Sequence, residues 1–558
     1  NTMGIPSYFS HIIRNYSNIV RNLRFFKNIP GFRFEHLFMD CNSIVYDAVH
    51  SLDKRVNCGE LSSDNDLDSI IINDVIQKID MYISLIRPSK SIYIAFDGVA
   101  PFAKMDQQRT RRYKSHFISN VRFSDASVAS PPFAWNTSTI TPGTQFMDKL
   151  SNRINYHFKN SEQNYNVDNI RISCSDIPGE GEHKLYSYIR DNQLVSDNIA
   201  VYGLDSDLIM LSIFHLEYSK NIYIFREAPE FLKNSIPIDA RGENDNEPHF
   251  LDIRTLATSI LSDMHCDCPH ADRIHDYVFL CFLLGNDFLP HFPAMNIRTH
   301  GIDVLLDMYR IYIGRYPDRF LVSRTSSKIH WKNLSLLINE IAKKEHEFLM
   351  QEYVLRDKLD RRKFPETTPI EKEQAFVNAP IIYRQDEKYI CPSENHWEER
   401  YYKLLFSTYR KPHAIKPICI NYLEGLEWVF TYYTGACPDW KWKYNYHYPP
   451  LFSDLCKYVP HYDTRFLDAV ASKTSNRPFS SHVQLSYVLP FAKLDLLPTG
   501  ITQFLKTNYS ELYPEKYDLC WAFCRYLWEA HPILPNISID LLEQWDKQFH
   551  FWNADNNT

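Results

Sequence analysis

Residues 3 to about 310 alternate short apolar runs with stretches whose apolar positions recur every three or four residues. That alternation predicts an α/β layer around a mostly parallel central sheet flanked by helices. Four runs read as strands: His36 to Asp40, Ser91 to Asp97, Asn169 to Ser175 and Asn198 to Asp205. Three of them end on Asp. Functional side chains are therefore expected at the carboxyl edge of the sheet, where open α/β folds bind ligands.

Further along, residues 115 to 145 are rich in Ser, Pro and Thr and read as a mobile loop. Residues 335 to 375 form a long, charged helical stretch that gives way at Pro365 to a linker, and they read as a solvated helical arm. From about 395 to 550 Trp and Tyr become dense, as in a helical module packed on the first domain. The expected organisation is an α/β core over 3–330, a charged arm and linker over 331–394, and a helical, aromatic-rich module over 395–558. The tail from Ala554 is expected to fray.

Composition changes this picture little. Hydrophobic residues make up 44% and aromatics 15%, enough for a large folded core. The net charge of −7 is not that of a typical nucleic-acid binder, but net charge hides distribution. Twelve Cys are scattered without a paired framework, which fits free thiols in a reducing compartment. The crowded run His265-Cys-Asp-Cys-Pro-His270 lacks a second ligand pair at zinc spacing and reads as a surface loop. No apolar run reaches membrane-spanning length and no signal peptide is visible, so the chain is expected to be soluble and cytoplasmic.

The most informative stretch is DGVAPFAKMDQQRTRRYK, from Asp97 to Lys114. A strand ends on a carboxylate, a Gly-Val-Ala-Pro turn follows, and a helix begins. On that helix Lys104, Gln108, Arg111 and Arg112 fall at i, i+4, i+7 and i+8, which is one face. An ammonium, an amide and two guanidiniums together make a pocket for a terminal phosphate.

Acids recur at the ends of neighbouring elements. Asp40 closes the first strand, Glu180 and Glu182 sit in the Gly-spaced start of a helix, Asp205 and Asp207 close a buried strand, and Asp287 follows an apolar helix. Buried carboxylates without partners are costly, and no equal set of basic residues accompanies them. Divalent cations resolve the problem. A set of oxygen ligands without His or Cys fits two Mg²⁺ or Mn²⁺ ions better than zinc. Two such ions suit an in-line phosphodiester displacement.

Taken together, these motifs resemble the XRN family of 5′→3′ exoribonucleases. The matching runs are Met3-GIPSYF, Phe38-MDCN, the stretch from Asp97 to Lys114, Pro178-GEGEHK, Tyr202-GLDSDLIML, Phe282-LLGNDFLPH, Trp397-EERYY, Glu424-GLEWVFTYY and the Trp440/Trp442 segment, in family order. The resemblance implies a nuclease core like that of PIN and flap nucleases. It implies that Asp40, Asp97, Glu180, Glu182, Asp205, Asp207 and Asp287 hold the catalytic metals. It further implies that Lys104, Gln108, Arg111 and Arg112 seat a 5′-monophosphate, with Lys104 also near the scissile phosphate. Where the family has a stacking His, this chain has Tyr46. The partner ring is Trp440 or Trp442, with Trp440 slightly favoured. The chain reads as a compact version without the extra C-terminal domains of the large cytoplasmic members.

The expected function is processive, metal-dependent 5′→3′ degradation of 5′-monophosphorylated single-stranded RNA to mononucleotides, by a monomer with decapping machinery as a candidate partner and no membrane attachment. Two other readings stand beside it: a structure-specific flap endonuclease, and a catalytically inactive RNA-binding scaffold.

Overall fold

The computed structural model describes residues 7–123, 133–227, 247–323, 327–467 and 476–555. The chain divides into two compact units. One comprises Phe9–Ser259, Arg477–Pro514 and Pro535–Thr558, and the other Asn1–Tyr8, Ile260–Asn476 and Glu515–Leu534. These boundaries differ from those expected at 330 and 394. The polypeptide leaves the first unit before residue 260 and returns to it twice near the C-terminus, a non-local arrangement that local composition does not mark.

The first unit holds a seven-stranded sheet: β1 Val20–Arg21, β2 His36–Asp40, β3 Ser91–Ala95, β4 Asn169–Ser173, β5 Asn198–Tyr202, β6 Asn221–Arg226 and β7 His249–Asp252. The strand order is β1-β7-β6-β5-β2-β3-β4. Strands β6, β5, β2, β3 and β4 run parallel, and β7 and β1 add an antiparallel edge. The expected α/β class and mostly parallel sheet are present. All five residues of β2 and of β3 are buried, as continuous apolar runs covered on both faces should be. Asp40 pairs with Ala95 and Ala95 with Ser173, so the carboxyl ends of β2, β3 and β4 lie level.

The helix Phe102–Phe123 is longer than expected and absorbs the start of the stretch read as a mobile loop; residues 124–132 of that stretch lie outside the described residues. Its Phe102, Met105, Arg109 and Tyr113 are buried at helical spacing. Phe102 and Met105 join a cluster with Val483, Tyr487, Leu505 and Trp545 from the returning C-terminal segments. Arg109 lies on this structural face. Its guanidinium donates to Pro535 O at 3.0 Å and Leu512 O at 3.3 Å and lies 5.0 Å from the Tyr487 ring centre.

The second unit is mainly helical. The stretch expected to be a solvated arm forms the helix Trp331–Asp360, but one stripe of it is buried: Trp331, Leu334, Ile338, Ile341, Glu345, Leu349, Glu352 and Arg356. Charged members disguise that stripe in the sequence, because each finds a hydrogen-bond partner in the fold. Glu345 accepts from the backbone amides of Phe452 (2.6 Å) and Ser453 (2.9 Å), and Arg356 Nε donates to Glu387 at 2.8 Å. The expected linker after Pro365 carries short helices, including Pro369–Val377 and Gln385–Ile390. Aromatic packing fills the rest, with Trp428 stacked on Trp442 at 5.3 Å and Phe292 on Phe452 at 3.7 Å. The run His265–His270 follows the helix Ile253–Asp263 as a loop.

Arg109 provides a direct check of how the basic helix is seated. Arg109→Met should leave two half-buried carbonyls without their donor, at a cost of about 2 kcal/mol. A thermal unfolding scan should then show a midpoint lowered by a few degrees, and an unchanged midpoint would contradict the assignment.

Candidate active site

Asp40 ends β2 and is 4% exposed. Asp97 lies two residues beyond β3, where Asn42 holds it from both ends. The Asn42 side-chain amide donates to Asp97 Oδ2, and Asn42 Oδ1 accepts from the Asp97 backbone amide at 3.1 Å. Glu180 is the residue capping the helix Gly181–Asn192, and Glu182 lies in its first turn. One oxygen each from Asp40, Asp97 and Glu182 lie within 4.8 Å of one another.

Two glycines make that approach possible. Gly179 has φ +107°, a left-handed conformation that Gly adopts without strain. At Gly181 an added Cβ would lie 2.5 Å from Asp40 Oδ1, while the Gly181 amide donates to Asp97 Oδ1 at 2.7 Å. Behind the acids, Lys184 is buried and donates to Phe96 O at 2.7 Å and Cys174 O at 3.1 Å, tying together the ends of β3 and β4. Burial pushes its ammonium down to about 8.

The electrostatics are those of crowded like charges. Burial, then the neighbouring charges of Asp97 and Asp205, hold the Asp40 carboxyl well above the ordinary range. Burial, then Glu180 and Asp40, do the same for Glu182. Asp40 Oδ1 is fully buried and has no hydrogen-bond partner among the described residues. A divalent cation fits this group. The donors are hard carboxylate oxygens, and a cation would both satisfy the orphaned oxygen and relieve the repulsion.

Of the other expected acids, Asp205 is half-buried just beyond β5, and Asp207 is buried at the start of the helix Asp207–Phe214. Asp287 belongs to the second unit, in the loop after the short helical turn Phe282–Leu284.

The basic helix begins at these acids. Lys104 is 5% exposed and its Nζ lies 2.6 Å from Glu180 Oε2. One turn on, a relay of amides fixes Gln108. The Ala100 backbone amide donates to Gln484 Oε1 at 2.9 Å, so Gln484 presents Nε2, which donates to Gln108 Oε1 at 3.1 Å. Gln108 is left with its own Nε2 as a donor for a further acceptor. Arg112 donates to Ser138 O at 3.4 Å and to the Thr141 hydroxyl, both neutral oxygens. Burial, with Arg111 beside it, lowers its guanidinium to about 10. Neither Arg111 nor Arg112 has a carboxylate partner among the described residues, and guanidiniums without one can take an anion.

The proposed stacking rings differ in exposure. Tyr46 is half-buried against the core of the first unit. In the second unit Trp440 is likewise half-buried, whereas Trp442 is 5% exposed and stacked on Trp428. Core packing thus occupies the Trp442 ring and leaves Trp440 with surface to offer.

Sequence reading missed two neighbours of the site. Gln484 is 376 positions from the residue it orients, and no local signal marks it. His183 stands directly after Glu182, and a ring nitrogen of it groups with oxygens of Glu180 and Glu182 within 4.8 Å. The i, i+3 spacing from Glu180 could have revealed it.

Comparison with known proteins then decides the lineage. The family model described as XRN 5′-3′ exonuclease N-terminus matches residues 3–228, and that of the Xrn1 helical domain matches residues 270–395 and 383–549. The chain belongs to the XRN family. XRN relatives align along nearly its whole length. The 5′-3′ exoribonuclease 2 homolog of Drosophila melanogaster is 25% identical over 96% of this chain and 69% of its own. The 5′-3′ exoribonuclease 1 of Schizosaccharomyces pombe is 26% identical over 98% of this chain and 49% of its own. The human 5′-3′ exoribonuclease 1 is 24% identical over 96% of this chain and 33% of its own. Among solved structures, the catalytic core of Rad2 in complex with DNA substrate matches at 15% identity and a TM-score of 0.31, covering 67% of this chain and 84% of that one.

The raised carboxyls of Asp40 and Glu182 make cation binding compete with protons. Mn²⁺ affinity, measured by titration calorimetry, should therefore go on rising with pH above the ordinary carboxylate range. Ordinary exposed carboxylates would already be ionised above about pH 6 and give a flat profile, which would contradict the reading.

Proposed function

We propose that this XRN family member is a 5′→3′ exoribonuclease that degrades single-stranded RNA bearing a 5′-monophosphate, processively, to nucleoside monophosphates. The observation carrying this reading is the pairing of opposites along one helix. At its start Lys104 pairs with the acids through Glu180, and within two turns the Arg111/Arg112 face has no carboxylate partner among the described residues.

In this reading Asp40, Asp97, Glu180, Glu182, Asp205 and Asp207, with Asp287 assigned from the family resemblance, would hold two Mg²⁺ or Mn²⁺ ions. When bound, such ions polarise the scissile phosphodiester and activate water at neutral pH. The chain's own side chains do the rest. Arg111 and Arg112 grip the terminal phosphate, Gln108 Nε2 donates to it, and Lys104 offsets negative charge that develops as the bond breaks. Hydrolysis leaves the 3′-hydroxyl on the released nucleotide and the phosphate on the shortened chain. Each turnover thus regenerates the group that the seat recognises. Tyr46 and Trp440 each offer a ring face to a base.

A seat for one phosphate also favours the ends left by decapping, with the decapping machinery as partner. Free thiols at all twelve Cys suit the cytoplasm. No described helix is long and apolar enough to cross a membrane. The reading takes the enzyme as a monomer.

The test is digestion of one RNA carrying a phosphate, triphosphate, cap or hydroxyl at its 5′ end. The monophosphate should be degraded fastest. Arg111→Ala should lower kcat/KM on that RNA by about 10- to 100-fold, the worth of charge-assisted hydrogen bonds, while sparing the hydroxyl-ended RNA. An unchanged preference would remove the anion seat from the account.

A further inference from the structure

His183 is the one histidine that the described residues bring into a cation-binding group. It lies three residues after Glu180 in the first turn of the helix Gly181–Asn192, and the two side chains share a helix face. One ring nitrogen of His183, one oxygen of Glu180 and one of Glu182 lie within 4.8 Å of one another. Both glutamates are buried, whereas His183 is half-buried, so the imidazole stands at the rim of the acidic group.

Such a cluster is not by itself a site. Asp40 supplies independent support. Its carboxylate is 4% exposed, its Oδ1 has no hydrogen-bond partner among the described residues, and it shares a second group with Asp97 and Glu182 inside the same 4.8 Å limit. Glu182 belongs to both groups. A cation drawn by the orphaned oxygen of Asp40 would therefore lie beside the glutamate that also faces His183.

We propose that His183 supplies a nitrogen ligand to the divalent ion held by Glu180 and Glu182, giving that position a mixed oxygen and nitrogen donor set that ranks Mn²⁺ above Mg²⁺. Mg²⁺ takes oxygen ligands and gives up its waters reluctantly, whereas the first-row transition ions accept imidazole. The inference rests on the divalent-ion reading above and sharpens it, because a set made only of carboxylates would distinguish the two ions less.

The experiment is pulsed EPR on the full-length protein loaded with Mn²⁺, alongside binding titrations with Mn²⁺ and Mg²⁺. Wild-type protein should show electron spin-echo modulation from a directly bound ¹⁴N nucleus, replaced by the ¹⁵N pattern when the histidines are ¹⁵N-labelled. That isotope arm needs no variant to fold. His183→Gln should lose the modulation and weaken Mn²⁺ binding on the order of tenfold, with Mg²⁺ affinity moving by about twofold or less. His157→Gln, at an exposed ion pair with Asp80, should keep the wild-type signal. Mn²⁺ bound by the wild-type protein without nitrogen coupling, or coupling that persists in His183→Gln, would overturn this inference and leave the carboxylate site standing. A wild-type protein that binds no Mn²⁺ would overturn the divalent-ion reading and this inference together.

Discussion

Like charges gathered at one sheet edge are the constraint on which the rest of the candidate site depends. Parallel strands in level register deliver Asp40 and Asp97 to the same edge, and the Gly-spaced helix start brings Glu182 within reach of both. Water cannot relieve the repulsion, because Asp40 and Glu182 are buried. An unpaired ionised carboxylate in such a place costs several kcal/mol, so the group must take up protons or bind cations. The neighbouring features serve this arrangement. Gly181 leaves room for the Asp40 oxygen, Asn42 fixes Asp97, and Lys184 anchors the strand ends behind them.

The basic helix shows how one element carries two jobs without conflict. Phe102, Met105, Arg109 and Tyr113 seat it, while Lys104, Gln108, Arg111 and Arg112 line a separate face. Four cationic side chains therefore do not act as one patch. Arg109 is committed to backbone carbonyls and Lys104 to Glu180, whereas Arg111 and Arg112 have no carboxylate partner among the described residues. The amide relay through Gln484 sets the polarity of that face, since a backbone amide at its far end cannot reverse direction.

Much of this was legible in the amino-acid order, because apolar runs that end on Asp are hard to read otherwise. Strands β2 to β5 begin where the sequence places them, and the acids at their ends follow. Strands β1, β6 and β7 were not read from the sequence; for β1 and β7, two and four residues are too few to carry a period. The helix Trp331–Asp360 was read as solvated because Glu345, Glu352 and Arg356 interrupt its buried stripe, and their partners lie far away in the chain. The unit boundaries were illegible for the same reason: segments 477–514 and 535–558 return to the sheet unit through tertiary packing alone. Gln484 was invisible, whereas His183 was in plain view and was passed over for its acidic neighbours.

The most direct measurement is anomalous X-ray scattering from crystals soaked in Mn²⁺. The account predicts a peak within coordination distance of the Asp40, Asp97 and Glu182 carboxylates, lost from crystals of Asp40→Asn. A structure at the same Mn²⁺ concentration with no peak at those carboxylates would contradict it.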